Sequence, residues 1–354
     1  MQFTFTEDQN LFRDSLRPLL EKQCTPDSIR ALWDDERGRS SERWAALASS
    51  GLLGVLVPES HGGLGMNELD LVLPLEETGR VALPEPVVET AAVAAPLLAE
   101  CGNEALAGRW LPAIASGEAV VTVAGELNPA IADAGDADLV LIERGGEIAA
   151  VEGAALKAER QPTSDPSRRL YTVEITGDAT TVASGDEAQA MMQRAADRAA
   201  LGIAAQQLGI TARLIELAVE YAKDRHQFGK PIGSFQAIKH HLADVAVKLE
   251  FARPMVYRAA HSIATDSANR TIDVSQAKAM ADEAACAAAK TALQVHGAIG
   301  YTWEVDLHLW MKRAWALESS WGSRLYHRRR VADAVLRERG APSFGFEAAG
   351  TAQT

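Results

Sequence analysis

The stretch that decides the fold covers residues 221–250 and reads YAKDRHQFGKPIGSFQAIKHHLADVAVKLE. Gly229 and Pro231, in its first half, cannot both lie inside an ordinary helix. Apolar residues recur at helical spacing on both sides of this interruption, at Ile210, Leu214, Leu217 and Tyr221 before it and at Ile238, Leu242, Val245 and Leu249 after it. The pattern therefore predicts two long helices joined by a short turn.

The same turn concentrates side chains that can bind an anion. Within a dozen residues the chain places Arg225, Gln227, Gly229, Lys230, Ser234 and Gln236 beside Phe228. Guanidinium and amide groups donate hydrogen bonds, a glycine allows close approach, and an aromatic ring adds apolar surface. This combination suits a large anionic ligand such as a nucleotide diphosphate. The alternative is that Arg225 only offsets the negative end of the preceding helix dipole.

The segment RHQFGKPIGSFQAIKHHLAD closely resembles the Arg-x-Gln-Phe-Gly segment of the acyl-CoA dehydrogenases. These flavoproteins oxidise the Cα–Cβ bond of acyl-CoA thioesters, and the resemblance extends over most of the chain. It implies that Arg225, Phe228 and Gln236 contact the FAD of a neighbouring subunit.

A second segment, QVHGAIGY at residues 294–301, is similar to the family segment that receives the adenine and ribose end of an FAD held mainly by another subunit. The resemblance implies that Gln294 and Gly297 contact this end of the cofactor. From the residues alone, Gly297 and Gly300 end one helix and permit the turn into the next. The family's second glycine is Ala298 here, and its methyl group narrows the space for a ligand.

Composition excludes several classes of function. A chain of 354 residues, 47% hydrophobic and 23% charged, can bury a substantial core and is globular. Its net charge of -13 argues against nucleic acid as a partner. The separated cysteines Cys24, Cys101 and Cys286 predict reduced thiols in a cytoplasmic protein. We expect no signal peptide and no membrane span, since the longest apolar stretch, at residues 87–99, is short and interrupted.

The periodicity of the sequence changes twice along the chain. Residues 1–117 read as helical, residues 118–184 as short strands at 120–124, 139–143, 147–151 and 170–175, and residues 185–338 as helical again. We therefore predict a mostly α protein with a small central β domain. It should contain an N-terminal helical domain, a shortened antiparallel β barrel or sandwich, and a C-terminal four-helix bundle. The fourth helix, from Trp303, should be interrupted near Gly322, and residues 339–354 should form a loose tail.

The middle segment departs from the family that the chain resembles. Its relatives carry a Thr-Glu-Pro-x-Ala-Gly-Ser-Asp loop that packs on the flavin ring and pyrophosphate, whereas this chain reads AGELNP at residues 124–129. The tryptophan-centred flavin strand is also absent, because no tryptophan occurs between Trp110 and Trp303. We expect this subunit to lack a full isoalloxazine pocket of its own.

The family's catalytic base is missing from both of its usual positions. Removal of a proton α to a thioester requires a carboxylate beside the flavin. The two family positions correspond to Trp321 and, 26 residues before Arg225, to Ala199. Glu318 and Asp197 are nearby in sequence, but a shift of two or three residues turns a helical side chain to a different direction. We expect solvated or capping roles for both and predict no catalytic residue in this chain.

Other enzyme classes find little support in the sequence. It contains no GxSxG, P-loop, HExxH or zinc-spaced cysteine set, and we predict no metal site. His240 and His241 are adjacent on a helix and therefore point to different faces. Basic residues cluster at Arg324, His327, Arg328, Arg329 and Arg330. Such a cluster is most often a solvated face, although it could meet CoA phosphates or an acidic partner.

The resemblance and the missing base together imply a specific role. They predict a subunit of an FAD-dependent acyl-CoA dehydrogenase that completes the FAD site of a larger catalytic subunit in an α2β2 assembly. In this respect the chain resembles the smaller, degenerate subunits of actinobacterial heteromeric acyl-CoA dehydrogenases, some of which act on steroid side-chain CoA thioesters. Two alternatives remain: an active homomeric dehydrogenase with a displaced carboxylate base, and a flavin-free scaffold or binding subunit.

Overall fold

The computed structural model describes residues 4–35 and 37–337, and the tail predicted for residues 339–354 lies outside them. Short helices come first along the chain, two small sheets follow, and long helices form the remainder. This order confirms the predicted fold class. The exact domain boundaries at residues 117, 184 and 338 stay predictions.

The first part of the chain is helical. Its α-helices are α1 (Glu7–Gln23), α2 (Pro26–Arg30), α3 (Ser41–Ser49), α4 (Glu68–Arg80), α5 (Ala95–Glu100) and α6 (Glu104–Ser116). A capping box starts α1, since the Thr6 hydroxyl accepts a hydrogen bond from the Gln9 amide and the Gln9 side chain accepts one from the Thr6 amide. A π-helical segment, Val88–Ala94, leads into α5 and is buried along its whole length.

The middle of the chain forms two small sheets. Their strands are β1 (Val121–Ala124), β2 (Ile131–Ala132), β3 (Leu139–Arg144), β4 (Glu147–Glu152), β5 (Leu156–Gln161), β6 (Leu170–Ile175) and β7 (Thr180–Ser184). One sheet has the order β1-β3-β4-β7, and the other has the order β2-β6-β5. Side chains from both sheets form a small core of their own, made of Ala124, Ile131, Ala134, Ala137, Val140, Ile142, Val151 and Tyr171. The two sheets therefore pack together as a sandwich.

Two features of this sandwich correct the sequence prediction. The sheet is not wholly antiparallel, because β1 and β3 pair in parallel, with Val121 opposite Leu139. The chain between them crosses through β2 of the other sheet, and such a crossover allows parallel pairing. Strands β2, β5 and β7 were also missed. Strand β5 has only two apolar residues, Leu156 and Ala158, which are half-buried against the sandwich core. Its apolar alternation is therefore too short to reveal a strand.

Five α-helices make up most of the rest of the described chain. They are α7 (Gly185–Asp224), α8 (Gln236–Ala264), α9 (Arg270–His296), α10 (Leu307–Glu318) and α11 (Arg324–Arg337). The last two form the interrupted fourth helix of the predicted bundle, which begins at Leu307 rather than at Trp303. The interruption lies at Trp321 and Gly322, both of which have a positive φ.

Helices α7 and α9 run parallel at a nearly constant offset. Three contacts along their length join Asp197 to Thr271, Gln207 to Asp282, and Tyr221 to His296, at sequence separations of 74, 75 and 75 residues. Buried alanines line both helices and allow close approach. The C-terminal ends of α7 and α9 therefore lie side by side.

A tight crossing joins α4 to α7. A Cβ atom placed on Gly209 of α7 would lie 1.9 Å from the Glu76 carbonyl oxygen, and one placed on Gly79 of α4 would lie 2.0 Å from the Gln206 carbonyl oxygen. These are backbone atoms, so neither can move aside without shifting a helix. Glycine at both positions lets the N-terminal helices lie directly on the bundle.

The variant Gly209→Ala should be destabilised by about 1–3 kcal/mol, because its methyl group overlaps the α4 backbone. Chemical denaturation would measure the loss in the free energy of unfolding. Gly108→Ala in α6 is the matched control, since a Cβ there meets nothing within 4 Å and the variant should be neutral or slightly more stable. Equal stability of the two variants would contradict the tight crossing.

Candidate functional site

A β-hairpin forms the turn between α7 and α8. Strand β8 (His226–Gln227) pairs with β9 (Lys230–Pro231), and Phe228 and Gly229 at the tip have φ values of 53° and 78°. Two successive left-handed residues match a type I′ turn. The Phe228 side chain is 93% exposed, although a left-handed conformation is unfavourable for an aromatic residue. A strained backbone that presents a large apolar side chain to the exterior is typical of a binding surface.

The hairpin is fixed to the helix ends by local contacts. The Ile232 amide donates a hydrogen bond to the Arg225 carbonyl at 2.8 Å, and the Arg225 amide donates to the Tyr221 carbonyl at 2.8 Å. The Phe228 and Phe235 rings are nearly perpendicular to each other, with their centroids 6.1 Å apart. The guanidinium of Arg225 is exposed and has no ion pair or hydrogen bond with the residues described in the structure. It is available to an external anion.

The structure brings the two sequence motifs to one end of the bundle. Because α7 and α9 are parallel, Arg225 and Phe228 after α7 lie at the same end as Gln294 and Gly297 at the end of α9. Gln236 is also there, as the first residue of α8. All five residues are exposed to solvent.

The two motifs meet through aromatic side chains. The Tyr221 ring stacks on the His296 ring with centroids 4.3 Å apart and planes 21° apart. Gly297 follows with φ 65° and ψ -140°, a conformation available mainly to glycine. The predicted FAD residues thus lie at one end of the bundle, at the ends of three helices.

The two positions that the sequence predicts for the family base, Trp321 and Ala199, are both buried. Trp321 is 1% exposed and lies in the turn between α10 and α11. Its carbonyl accepts a hydrogen bond from His327 Nε2 at 3.0 Å, and His327 Nδ1 lies 3.2 Å from Ser275 Oγ. Burial lowers the pKa of His327 to about 4, so the ring is neutral at pH 7. The second family position, Ala199, is fully buried on α7.

A buried ion pair supports the same turn. The Lys278 ammonium donates to Asp282 at 2.5 Å and to the carbonyl oxygens of Leu317 and Glu318 at 3.2 and 3.4 Å. It thereby caps the C-terminal end of α10. Gln207 donates a hydrogen bond to the other carboxylate oxygen of Asp282 at 3.1 Å. Burial raises the pKa of Asp282 to about 6.

The two weak candidates for a base serve structural contacts. Asp197 is buried, accepts a hydrogen bond from Thr271 Oγ1 at 2.8 Å and pairs with Arg270 at 3.2 Å. The expectation that it would be solvated or capping was wrong, because its partner lies 73 residues away in sequence. Glu318 is partly exposed and lies 3.9 Å from Arg324.

A cleft of about 270 Å³ opens beside Trp321, between the sandwich and α7. It is lined by Gly125, Glu126, Leu127, Glu143, Gln189, Met192, Gln193, Ala196, Trp321 and Tyr326. The lining contains two carboxylates and no lysine, arginine or histidine, so it disfavours the phosphates of a nucleotide or of CoA. Its volume is below the usual range of ligand pockets.

Glu126 and Glu143 were not found as site residues from the sequence. The usable signal was the alternation along β3, which places Glu143 on the same face as Leu139 and Leu141 in the main core. The direction of that face relative to α7 depends on how the sheet packs on the bundle. Neither Asp197 nor Glu318 lines this cleft.

The residues of the predicted basic cluster on α11 lie in different environments. Arg328 pairs with Glu283 at 2.5 Å, and Arg330 approaches Asp197 at 4.0 Å. His327 is buried, so the reading of the whole cluster as a solvated face was wrong for this residue.

Two family models match the chain. The one described as Acyl-CoA dehydrogenase, N-terminal domain, matches residues 6–118, and the one described as Acyl-CoA dehydrogenase, C-terminal domain, matches residues 188–336. Acyl-CoA dehydrogenase IpdE2 of Mycolicibacterium smegmatis is 37% identical over 310 residues, which cover 87% of this chain and 93% of that protein. The chain belongs to the acyl-CoA dehydrogenase family.

Solved structures of acyl-CoA dehydrogenases resemble nearly the whole chain. A chain of the ChsE4-ChsE5 complex from Mycobacterium tuberculosis matches with a TM-score of 0.86 and 27% identity, over 96% of this chain and 100% of that chain. A chain of the Tcur3481-Tcur3483 steroid ACAD G363A variant matches with a TM-score of 0.85 and 25% identity, over 94% and 98% of the two chains.

The described part of this acyl-CoA dehydrogenase chain contains neither a metal-binding cluster nor a membrane-spanning helix. Within residues 4–35 and 37–337, no group of three or more His, Cys, Asp or Glu side chains is placed to hold a metal ion. In the same residues, each helix is too short or too polar to cross a lipid bilayer.

Replacing Phe228 by Asn should stabilise the isolated chain by about 1 kcal/mol, because asparagine tolerates the left-handed conformation and Asn-Gly favours a type I′ turn. Thermal denaturation of the isolated chain measures the change. As a control, Phe251→Asn alters an aromatic side chain of α8 that is 66% exposed, and it should give no gain in stability. A loss of stability in Phe228→Asn would show that the tip is not strained.

The neutral state of His327 predicts a dependence of stability on pH. An unfolded imidazole gains a proton near its ordinary pKa of 6.5, whereas the buried ring resists protonation until about pH 4. The contribution of His327 to the free energy of unfolding is therefore complete above pH 6.5. It falls by up to about 3 kcal/mol as the pH drops to 4. Asp282 titrates with the opposite sign, so the measurement is the difference in unfolding free energy between wild type and His327→Gln across this range. A constant difference would refute the assignment.

Proposed function

We propose that this chain is the non-catalytic subunit of a heteromeric FAD-dependent acyl-CoA dehydrogenase and completes the FAD site of a larger catalytic subunit. The observation that carries the proposal is the surface formed by Arg225, Phe228, Gln236, Gln294 and Gly297, which is exposed at one end of the bundle. Its groups suit an external nucleotide: an exposed guanidinium for phosphate, two amides for ribose and adenine, and a glycine that permits close approach.

The chain's own cleft supports the non-catalytic part of the proposal. Trp321 and Ala199 stand where the family base would be, and both are buried. The cleft beside Trp321 is small and carries Glu126 and Glu143, which would repel the phosphates of FAD or of an acyl-CoA. A complete site within this subunit does not fit these residues.

The reaction divides between two chains in this proposal. When bound, the flavin supplies the hydride acceptor for oxidation of the Cα–Cβ bond. Arg225 neutralises phosphate charge, Gln236 and Gln294 donate hydrogen bonds, and Phe228 covers apolar ligand surface and excludes water. The carboxylate that removes the α proton comes from the partner, since neither family position in this chain is acidic.

Similar proteins support the assembly and the substrate class. One similar chain belongs to the ChsE4-ChsE5 complex of Mycobacterium tuberculosis, and another belongs to the Tcur3481-Tcur3483 steroid ACAD. By this likeness we infer an α2β2 assembly that acts on an acyl-CoA in lipid or steroid catabolism. A cytoplasmic location belongs to the same proposal, in agreement with the free thiols of all three cysteines.

Co-expression tests the assembly. The chain would be purified alone and together with the dehydrogenase encoded beside it, and subunit stoichiometry and flavin absorbance would be measured. The proposal expects colourless protein alone and a yellow complex with both chains. If the chain alone is yellow and is reduced by an acyl-CoA, the active homomer with a displaced base is correct. A stable complex without flavin would identify a scaffold.

The variant Arg225→Ala should weaken FAD binding to the complex about ten- to a hundredfold, because a charge-assisted contact of about 1.5–3 kcal/mol is lost. Equilibrium dialysis of released flavin measures the affinity. Arg329→Ala is the matched control, because Arg329 is also an exposed arginine but lies far from the proposed site. The nearby His327 contacts Ser275, which is near the opposite end of α9 from Gln294. If both variants bind FAD with the same affinity as wild type, Arg225 does not contact FAD.

A further inference from the structure

The stacked rings of Tyr221 and His296 form a direct link between the two halves of the proposed nucleotide surface. Their centroids are 4.3 Å apart and their planes are inclined by 21°. Tyr221 is in the last turn of α7, and His296 is the last residue of α9. The contact therefore sets the spacing between the two helix ends that carry the predicted FAD residues.

Each ring is connected through the backbone to one half of the surface. The Tyr221 carbonyl accepts the hydrogen bond of the Arg225 amide at 2.8 Å, which places the start of the hairpin. His296 lies two residues after Gln294 and directly before Gly297. Movement of either ring would displace one set of ligand-binding groups relative to the other.

The His296 ring is held in one orientation. It is 8% exposed, and its Nδ1–H group donates a hydrogen bond to the Ala292 carbonyl at 2.8 Å. The partner ring and this hydrogen bond constrain both the plane and the edge of the imidazole. A side chain restrained in this way can position its neighbours without touching a ligand itself.

We infer that His296 is a positioning residue, which holds the phosphate-binding and adenine-binding halves of the nucleotide surface at a fixed separation through its stack on Tyr221. A nucleotide that spans both halves binds tightly only when this separation matches its length. The inference rests on the proposed function and adds a role for a residue outside the set of predicted FAD contacts.

The test compares three variants in the assembled complex. His296→Ala and Tyr221→Leu remove the stack and should each weaken FAD binding roughly three- to tenfold. His296→Phe keeps an aromatic ring on Tyr221 while losing the hydrogen bond, and it should recover most of the affinity. If His296→Ala does not fold, Tyr221→Leu still tests the effect of losing the stack.

A stability control separates positioning from a general structural role. Tyr257→Leu removes another aromatic contact between elements, with Phe5 at 4.8 Å, and Tyr257 is 21 residues along α8 from Gln236. It should lower the melting temperature without altering the FAD dissociation constant. If the His296 and Tyr221 variants behave in the same way, or if His296→Phe fails to recover affinity, the inference is overturned.

The same experiment distinguishes this inference from the proposed function. Arg225→Ala and Gln294→Ala are measured in parallel, because both residues are proposed to touch FAD directly. If these two variants weaken binding and His296→Ala does not, only the positioning role fails. If all of them bind FAD as wild type does, the proposed function fails and the inference falls with it.

Discussion

The parallel packing of α7 against α9 is the constraint on which the site depends. Three contacts at almost the same sequence offset, from Asp197 to Tyr221 on α7, keep the two helices in register. Small side chains allow the close approach, and the buried Gln207 and Asp282 pair fixes the axial position, since a slip would leave polar groups unsatisfied. Motifs about 70 residues apart in sequence consequently share one end of the bundle.

The turn between α10 and α11 is held by packing and by hydrogen bonds from two sides. Trp321 fills the space with a large aromatic side chain, whose buried Nε1–H has no hydrogen-bond partner among the described residues. His327 holds the turn from one side through a carbonyl, and Lys278 holds the preceding helix end from the other. These contacts fix the conformation of the turn.

Local patterns predicted much of this molecule. Apolar periodicity located the long helices, and Gly229 with Pro231 located the hairpin between them. The grouping of Arg225 with Gln294 came from the family resemblance, since no local pattern relates two segments so far apart. The parallel β1–β3 pair was missed because side-chain alternation is the same in parallel and antiparallel strands.

The remaining prediction errors concern residues whose neighbours in the fold are distant in sequence. Asp197 has the sequence context of an exposed helical residue, and only the fold brings Arg270 and Thr271 to it. Glu126 and Glu143 line a cleft that exists only where a sheet meets a helix. Such groups depend on tertiary geometry, whereas the helix ends and turn residues of the proposed nucleotide surface depend mainly on local sequence.

The exposed tip of the hairpin has a consequence for the lifetime of the unassembled chain. With Phe228 93% exposed and Tyr301 81% exposed, a solitary copy displays aromatic surface of the kind that chaperones and proteases recognise. In a heteromer, docking of the partner would hide this surface. Cellular quality control could then adjust the abundance of one chain to that of the other, without any dedicated regulator.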